Sequence, residues 1–271
     1  MIPGRFTYHR PGSVSEAVKL LASLGEDARP LAGGHSLIPM MKLRLAQPEH
    51  LVDLGRIAAL KGIRRDGAEI VIGAMATQAE IIGSALLGET APILAEAAKV
   101  IADPQVRYAG TIGGNVANGD PGNDMPGLML CLDAHYTLVG PVGTRKVAAR
   151  EFYEAAFFTK LQAGEIVTEL RFAVPAANHG WAYEKLKRKI GDYAVAAAAV
   201  TLTVSGGKCA SAAIALTNVA QTPLLAIDAA AKAAMAISDP VADTRGPKEY
   251  RQSVLGVMVR RAIERAKSRA R

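Results

Sequence analysis

Hydrophobic and polar residues alternate along this 271-residue chain with two periods, one typical of α-helices and one typical of β-strands. Residues 13–24 repeat apolar side chains at helical spacing, and Ser13 and Glu16 stand at the spacing of a capping box. The pattern predicts a first helix with Ser13 as its N-cap. Residues 30–32 then predict a short strand that leads directly into a glycine-containing segment.

Similar patterns predict further elements before residue 140. Strands are predicted at residues 51–54, 68–74 and 134–139, and helices at residues 78–87 and 91–102. The second of these helices is expected to end near Asp103, because the proline that follows restricts the backbone of the residue before it. We expect a loop after this proline, and a long, acidic, turn-rich loop at residues 118–126.

The sequence changes character at residues 174–180, and we place a domain boundary there. The expected domains are residues 1–177 and 178–271. In the second domain, apolar runs at residues 194–204 and 209–216 flank a Ser-Gly-Gly-Lys turn and predict a β-hairpin. Two helices are predicted to follow, at residues 223–237 and 247–267.

The overall composition is typical of a globular protein, with 50% hydrophobic and 21% charged residues. The net charge of +7 does not indicate nucleic-acid binding, because only 5% of the residues are aromatic and no recognition motif is present. The basic residues are scattered until residues 260–271. That stretch is typical of the solvated end of a helix, and a docking surface for a partner is the alternative.

Cys131 and Cys209 are the only cysteines, and the five histidines have no metal-ligand spacing. The chain cannot supply the four thiolates of an ordinary iron–sulfur cluster, and we predict no metal site in it. The N-terminus has no charged region followed by an apolar run, and no stretch approaches membrane-spanning length. These features predict a cytoplasmic protein, which would reach a membrane only through a larger complex.

Two short glycine segments have the chemistry of an anion site. The first glycine segment consists of Ala32, Gly33, Gly34, His35 and Ser36, and the second consists of Thr111, Ile112, Gly113, Gly114 and Asn115. Glycine lets the backbone approach an anion closely, and the Ser, Thr and Asn side chains add hydrogen-bond donors. Neither segment has the lysine of a Walker-type loop. Each alone is typical of an ordinary turn, whereas the pair indicates a nucleotide pyrophosphate site.

The two glycine segments, the Asn-Gly-Asp-Pro-Gly-Asn-Asp loop at residues 118–124 and the Lys-Leu-Lys-Arg-Lys-Ile-Gly-Asp-Tyr run at residues 185–193 resemble the FAD-binding subunits of molybdenum hydroxylases. The resemblance covers nearly the whole chain. It implies an α+β fold, with a two-lobed FAD-binding domain of the vanillyl-alcohol-oxidase (PCMH) type over residues 1–177. A smaller C-terminal α+β domain, with a three-stranded sheet and helices, would follow over residues 178–271, with a link at residues 224–246 that looks shorter than is usual in the family.

Position by position, the resemblance assigns both glycine segments to the FAD pyrophosphate and the neighbouring ribityl or ribose groups. Asp124 matches a carboxylate that contacts the flavin, although it is also interpreted as a helix N-cap. Ile101 and Val167 match apolar positions that border the cofactor, and core packing describes them nearly as well. Lys185 matches a lysine that could stabilise charge on the flavin or its phosphates. Tyr193 matches an aromatic ring close to the isoalloxazine, with core packing as the alternative.

The resemblance also implies an electron-transfer function in which the cofactor supplies the chemistry. FAD on this chain would take electrons from an iron–sulfur subunit with [2Fe-2S] clusters and pass them to an external acceptor such as a quinone. The molybdenum cofactor would lie on a large partner subunit that oxidises the substrate, in a dimer of heterotrimers. The similarity is greatest to members that serve carbon monoxide oxidation. The alternatives are a member that serves a heterocycle hydroxylase, a stand-alone NAD(P)- or flavin-linked oxidoreductase, and a non-enzymatic scaffold.

Overall fold

The protein is described here by a computed structural model that covers residues 2–227 and 231–270. Helices and strands are mixed along the chain. The helices are α1 Val14–Leu24, α2 Leu37–Lys42, α3 Gln78–Gly83, α4 Ala85–Thr90, α5 Pro92–Val100, α6 Pro104–Ala109, α7 Ile112–Ala117, α8 Asp124–Cys131, α9 Ala149–Phe152, α10 Ala231–Ile237 and α11 Lys248–Arg269. The strands are β1 Thr7–His9, β2 Ala28–Leu31, β3 His50–Asp53, β4 Ile63–Asp66, β5 Glu69–Gly73, β6 His135–Gly140, β7 Gly143–Ala148, β8 Tyr153–Ala155, β9 Phe158–Thr159, β10 Ile166–Ala173, β11 Gly180–Leu186, β12 Ala196–Ser205, β13 Lys208–Thr217 and β14 Leu224–Ile227.

The first lobe is a small parallel sheet in the order β1-β3-β2, with α1 packed on it. The predicted N-cap is confirmed, because the Ser13 hydroxyl accepts a hydrogen bond from the Glu16 N–H at 3.2 Å. The Glu16 carboxylate accepts instead from the Gly12 N–H at 2.8 Å, so the full capping box does not form. Strand β2 ends at Leu31, and the first glycine segment follows at once.

The second lobe is an antiparallel sheet in the order β4-β5-β10-β6-β7, with its buried face covered by helices. The single helix predicted at residues 78–87 is wrong. Ser84 has an extended backbone (φ −74°, ψ 112°) that ends α3, and its hydroxyl accepts from the Leu87 N–H at 3.3 Å to cap α4. A short polar side chain that can cap a new helix therefore interrupts the apolar repeat.

The loop predicted after Pro104 is also wrong, because two short helices, α6 and α7, occupy this region. Helix α5 ends at Val100, and Asp103 caps α6 by accepting from the Val106 N–H at 2.9 Å. Pro104 is the first residue of α6, a position where its missing N–H costs no hydrogen bond. Thr111 caps α7 in the same way, accepting from the Gly114 N–H at 3.1 Å.

The C-terminal part is an antiparallel sheet in the order β11-β12-β13-β14, with α10 and α11 near one face. The predicted hairpin is confirmed by β12 and β13. The predicted helix at residues 223–237 is wrong at its start, since residues 224–227 form the short edge strand β14. Its residues 228–230 lie outside the described residues, and α10 begins at Ala231.

The two faces of strand β12 pack against different layers. Ala197 and Ala199 join the core beneath the five-stranded sheet, while Ala198 and Val200 join the core beneath α11. This alternation is the two-residue period of a strand that is buried on both faces. Helix α8 is buried along its whole length and contacts β12, β13 and β14. The C-terminal sheet is thereby fixed against the part of the chain that carries both glycine segments.

Candidate functional site

A cavity of about 520 Å³ lies where the two glycine segments meet the C-terminal sheet. This volume falls within the range of about 300–1,000 Å³ that is usual for ligand pockets. Of the predicted site residues, only Ile112 does not line it. Those that do are Ala32, Gly33, Gly34, His35, Ser36, Ile101, Thr111, Gly113, Gly114, Asn115, Asp124, Val167, Lys185 and Tyr193.

The first glycine segment presents a row of backbone N–H groups. Gly34 has φ +73°, a conformation that side chains rarely adopt. Within the described residues, the N–H groups of Gly33, Gly34, His35 and Ser36 donate to no protein acceptor, and the Ser36 hydroxyl makes no cap bond to α2. Successive N–H groups of this kind form a concave site that suits an anion.

The first glycine segment approaches the residues that lead into the second through a backbone contact at Gly33 that only glycine permits. A Cβ atom at Gly33 would lie 2.2 Å from the Ala109 oxygen and 2.8 Å from the Gly110 Cα. Across this contact, a Cβ atom at Gly114 would lie 3.5 Å from the Ala32 Cβ. The glycines thus bring together two parts of the chain that are distant in sequence, and form one wall of the cavity.

The second glycine segment contributes differently from the first. The Ile112 N–H donates to the Ala76 oxygen at 2.9 Å, the Gly113 N–H to the Ala74 oxygen at 2.8 Å, and the Asn115 N–H to the Thr111 oxygen at 3.1 Å. The Ile112 side chain is fully buried in the core. Both segments were expected to offer backbone donors to a ligand. Within the described part of the chain, the first segment has free N–H groups, whereas these N–H groups of the second donate to oxygens within the protein.

Asp124 and Lys185 form a buried ion pair on the cavity wall. The Lys185 ammonium donates to the Asp124 Oδ2 at 2.8 Å, and the two side chains are 2% and 5% exposed, respectively. The Tyr183 hydroxyl donates to the other carboxylate oxygen. Burial, together with the neighbouring Asp124 charge, raises the pKa of Tyr183 well above its ordinary value, so the phenol stays protonated.

This network corrects the interpretation of Asp124 as a helix N-cap and shows which group pairs with Lys185. Asn123 is the residue that precedes α8, and Asp124 is the first residue of the helix, so Asp124 is not its N-cap. The Asp124 carboxylate instead accepts hydrogen bonds from Tyr183 and Lys185. The charge of Lys185 is therefore compensated by a carboxylate in contact with it, which limits the field that this lysine exerts on a ligand.

Three cations hold the segment that contains Ile101 in place. The Lys185 and Lys187 ammonium groups donate to the Val100 oxygen at 3.4 and 3.0 Å, and the Arg107 guanidinium donates to the Ile101 oxygen at 2.8 Å. Burial, and then the nearby Lys185 charge, lower the pKa of Lys187. These bonds satisfy carbonyl groups at the end of α5 and fix the backbone that carries Ile101 along the cavity.

Tyr193 packs on the acidic loop and lines the same cavity. A Cβ atom at Gly122 would lie 2.8 Å from the Tyr193 ring, and the Arg245 guanidinium lies 5.6 Å from the ring centroid. Burial, and then the Asp120 carboxylate facing the hydroxyl, raise the pKa of Tyr193 to about 12. Burial also raises the pKa of Asp120. Because Tyr193 is 40% exposed, it is part of the cavity wall and not of the core.

Asn115 connects the second glycine segment to the acidic loop. Its side-chain oxygen accepts from the Met125 N–H at 3.2 Å, and its backbone oxygen accepts from the Asn123 side chain at 2.8 Å. The apolar side of the cavity includes Ile101 and Val167, which are 8% and 5% exposed. Val167 lies at a register shift in the pairing of β10 with β6, an irregularity that re-aims strand side chains.

Four residues of this region had not been predicted from the sequence: Tyr183, Lys187, Asp120 and the cavity-lining Gln78. A signal for Tyr183 and Lys187 was present, since they alternate with Lys185 and a strand places every second residue on one face. Asp120 lies in the loop that the sequence already marked as acidic. Gln78 had no distinguishing signal, because a polar residue at the start of a helix is ordinarily exposed.

These features fit a dinucleotide that carries a flavin. The free N–H groups of the first glycine segment suit a pyrophosphate, and the glycine contacts leave room for it next to the backbone. Ile101 and Val167 supply an apolar surface for a ring system, and Tyr193 supplies an aromatic one. Among the residues with described placement, no group of three or more His, Cys, Asp or Glu could hold a metal ion, and no helix is both long and apolar enough to cross a membrane.

Comparison with known families gives two matches that together cover most of the chain. Residues 4–176 match the family described as the FAD binding domain in molybdopterin dehydrogenase. Residues 181–266 match the family described as the CO dehydrogenase flavoprotein C-terminal domain.

Curated relatives and solved structures are similar over the full length. The carbon monoxide dehydrogenase medium chain of Afipia carboxidovorans is 60% identical, and that of Hydrogenophaga pseudoflava is 50% identical, with coverage of 100% and 99% of both chains, respectively. A chain of the reconstituted CO dehydrogenase from Oligotropha carboxidovorans superposes with a TM-score of 0.98, at 60% identity and complete coverage of both chains. A chain of quinoline 2-oxidoreductase from Pseudomonas putida 86 is 32% identical, with a TM-score of 0.92 over 99% of each chain.

Proposed function

Because this chain belongs to the FAD-binding subunits of the molybdopterin dehydrogenases, we propose that it is the medium chain of a carbon monoxide dehydrogenase complex. The chain is an FAD-binding oxidoreductase subunit. The observation that carries the assignment to carbon monoxide is the 60% identity to a carbon monoxide dehydrogenase medium chain over the whole length of both proteins. The 6-hydroxypseudooxynicotine dehydrogenase complex subunit alpha of Paenarthrobacter nicotinovorans is less similar, at 37% identity.

The proposal includes partner subunits. A small subunit with [2Fe-2S] clusters and a large subunit with the molybdenum cofactor would assemble with this chain as a dimer of heterotrimers. FAD, when bound, supplies the redox chemistry, taking up electrons from the iron–sulfur subunit and releasing them to an external acceptor such as a quinone. A cytoplasmic location of this complex remains part of the proposal.

The proposed FAD site consists of the residues assigned from the sequence. The first glycine segment would donate backbone hydrogen bonds to the pyrophosphate, and the second would position the first through the Gly33 and Gly114 contacts. Ile101 and Val167 would border the isoalloxazine and exclude water from it, with Tyr193 covering the ring from the acidic loop. Ile112 supports the site from the core.

Asp124 and Lys185 would hold the wall of this site in one arrangement. The ion pair and the Tyr183 hydrogen bond leave Asp124 with both oxygens engaged, so it positions the wall and does not act as a proton donor. We also propose the division into residues 1–177 and 178–271. The two family matches support it, since one ends at residue 176 and the other begins at residue 181.

Purification of the native complex tests this function. We expect three co-purifying subunits, molybdenum, iron, one FAD per copy of this chain, and dye reduction that depends on carbon monoxide. Gly33→Val should remove the flavin absorbance, while Gly88→Val, at a helical glycine with open space around it, should retain it. A complex without flavin would refute the FAD assignment. A flavin-containing complex that reduces dye with a heterocycle, and not with carbon monoxide, would refute only the assigned substrate.

A further inference from the structure

We propose that Gln78 is an FAD-binding residue whose side-chain oxygen accepts a hydrogen bond from a sugar hydroxyl next to the pyrophosphate. The inference rests on the proposed function, because it requires FAD in the cavity. It concerns a residue that lies outside both glycine segments and was not assigned from the sequence.

Backbone hydrogen bonds fix the position of Gln78. It is the first residue of α3, and its N–H donates to the Gly110 oxygen at 2.9 Å. The preceding Thr77 forms an antiparallel bridge with Thr111, and the Ile112 N–H donates to the Ala76 oxygen at 2.9 Å. The start of α3 is therefore held against the residues that lead into the second glycine segment.

Gln78 also lies close to the first glycine segment. Its backbone partner Gly110 is the residue against which Gly33 packs, since a Cβ at Gly33 would lie 2.8 Å from the Gly110 Cα. The residue lines the same cavity as both segments. If the pyrophosphate of a ligand binds at the glycine segments, the ligand groups on either side of the pyrophosphate therefore lie near Gln78.

The side chain carries a polar atom without a partner. Gln78 is 2% exposed, and its Oε1 atom is buried and accepts no hydrogen bond from the residues whose placement is described. Buried polar side-chain atoms nearly always have a partner, so an exception on a cavity wall indicates a group supplied by a ligand. The Ser, Thr and Asn side chains of the two glycine segments share this wall but do not reach the Gln78 oxygen.

The chemistry of that atom restricts what it binds. An amide oxygen only accepts hydrogen bonds, and a pyrophosphate at neutral pH likewise has only acceptors. The partner of the Gln78 oxygen is therefore not the pyrophosphate. The donors that flank a pyrophosphate in FAD are the hydroxyl groups of the ribityl chain on one side and of the adenosine ribose on the other. Either supplies the O–H that the Gln78 oxygen accepts.

The test compares FAD affinity in flavin-free preparations of the assembled complex. Gln78→Met keeps the length of the side chain and removes the acceptor, and Gln221→Met is a matched change at an exposed glutamine outside the cavity lining. Fluorescence titration with FAD should give a dissociation constant about tenfold higher for Gln78→Met and an unchanged one for Gln221→Met. The Tm of the flavin-free complex should not fall for Gln78→Met, because the change removes a buried polar atom that has no partner among the described residues.

Competition by FMN and by ADP against FAD identifies the hydroxyl. If Gln78 contacts the ribityl chain, Gln78→Met should weaken the binding of FMN and leave the binding of ADP unchanged. If Gln78 contacts the ribose, the reverse is expected. Equal weakening of both would overturn the assignment to a hydroxyl, since the phosphates are what they share. Equal FAD affinity in the wild-type and Gln78→Met complexes would overturn the role of Gln78 while leaving the proposed function intact. A wild-type complex that binds no FAD would refute the proposed function itself.

Discussion

Replacing Asp124 by alanine should destabilise the protein far more than replacing any exposed carboxylate. The substitution removes the partner of the Lys185 ammonium, which is 2% exposed and, among the described residues, retains only the Val100 oxygen at 3.4 Å. It also removes the acceptor of the Tyr183 hydroxyl. Breaking a buried ion pair by removing one partner costs about 3–5 kcal/mol, because the remaining charge stays buried and unpaired.

The matched control is Asp239→Ala. Asp239 pairs with Lys248, but these side chains are 79% and 46% exposed, so water compensates for the loss of the pair. The expected cost at this site is about 0–1 kcal/mol. Urea unfolding of the full chain, followed by fluorescence, measures both differences in the free energy of unfolding. Tm should fall by roughly 6–20 °C for Asp124→Ala, because 1 kcal/mol corresponds to about 2–4 °C in a chain of this size.

A double variant isolates the pair from the cavity that the mutation creates. Asp124→Ala combined with Lys185→Met removes both charges, and a buried pair replaced by apolar groups costs far less than a broken pair. We therefore expect the double variant to regain at least about 2 kcal/mol relative to Asp124→Ala. Equal destabilisation by Asp124→Ala and Asp239→Ala, or a double variant no more stable than the single one, would refute the reasoning.

Three further predictions concern other parts of the molecule. Gly33→Ala should cost about 1–3 kcal/mol in stability, because its Cβ would meet rigid backbone, whereas Gly88→Ala should be neutral or stabilise by up to about 1 kcal/mol. Glu96→Ala should cost about 1.5–3 kcal/mol, since its carboxylate accepts from two arginines of α11 and from a β11 N–H, while exposed Glu89→Ala stays within about 0.5 kcal/mol. Asp120→Asn should stabilise the protein at neutral pH, and the gain should disappear below about pH 4.

The sign of the Asp120 prediction follows from burial. Burial raises the pKa of Asp120 in the folded protein, so the folded state favours the protonated carboxyl. The contribution of this group to stability is present below its unfolded pKa and is lost as the pH rises through the folded pKa. Asparagine avoids that loss. A difference in stability between wild type and Asp120→Asn that grows on acidification would contradict this interpretation. Equal effects of Gly33→Ala and Gly88→Ala on stability would contradict the glycine prediction. Equal effects of Glu96→Ala and Glu89→Ala would contradict the prediction for Glu96.

Local sequence patterns predicted the elements whose signals are themselves local. The first helix has its N-cap and apolar stripe within residues 13–24, and the hairpin of β12 and β13 has its glycine turn between two apolar runs. Pro104 was ambiguous, because proline both ends helices and begins them. The strand at residues 224–227 could not be recognised, since it is a short edge strand held by its pairing with β13.

Fourteen of the fifteen predicted site residues line one cavity, but the geometry of that cavity was not predictable. Resemblance to a family placed both glycine segments in one site, yet the contact that joins them is between Gly33 and the Ala109 carbonyl, which no local pattern marks. The pairing of Lys185 with Asp124 joins residues 61 positions apart. Contacts of this kind depend on how the sheets and helices pack together, so they are visible only in the folded chain.

The ion pair also changes where the affinity for an anionic ligand must originate. Lys185 and Asp124 in contact contribute little net charge to the cavity, and the N–H groups of the second segment at residues 112–115 are used within the protein. Arg29 lines the cavity and supplies a cation. The first segment adds oriented backbone dipoles, whose effect on an anion depends on their position. Their position depends in turn on the close contact at Gly33. A methyl group there should therefore weaken pyrophosphate binding, measured as the dissociation constant of ADP, more than removal of both charges by Asp124→Ala with Lys185→Met does.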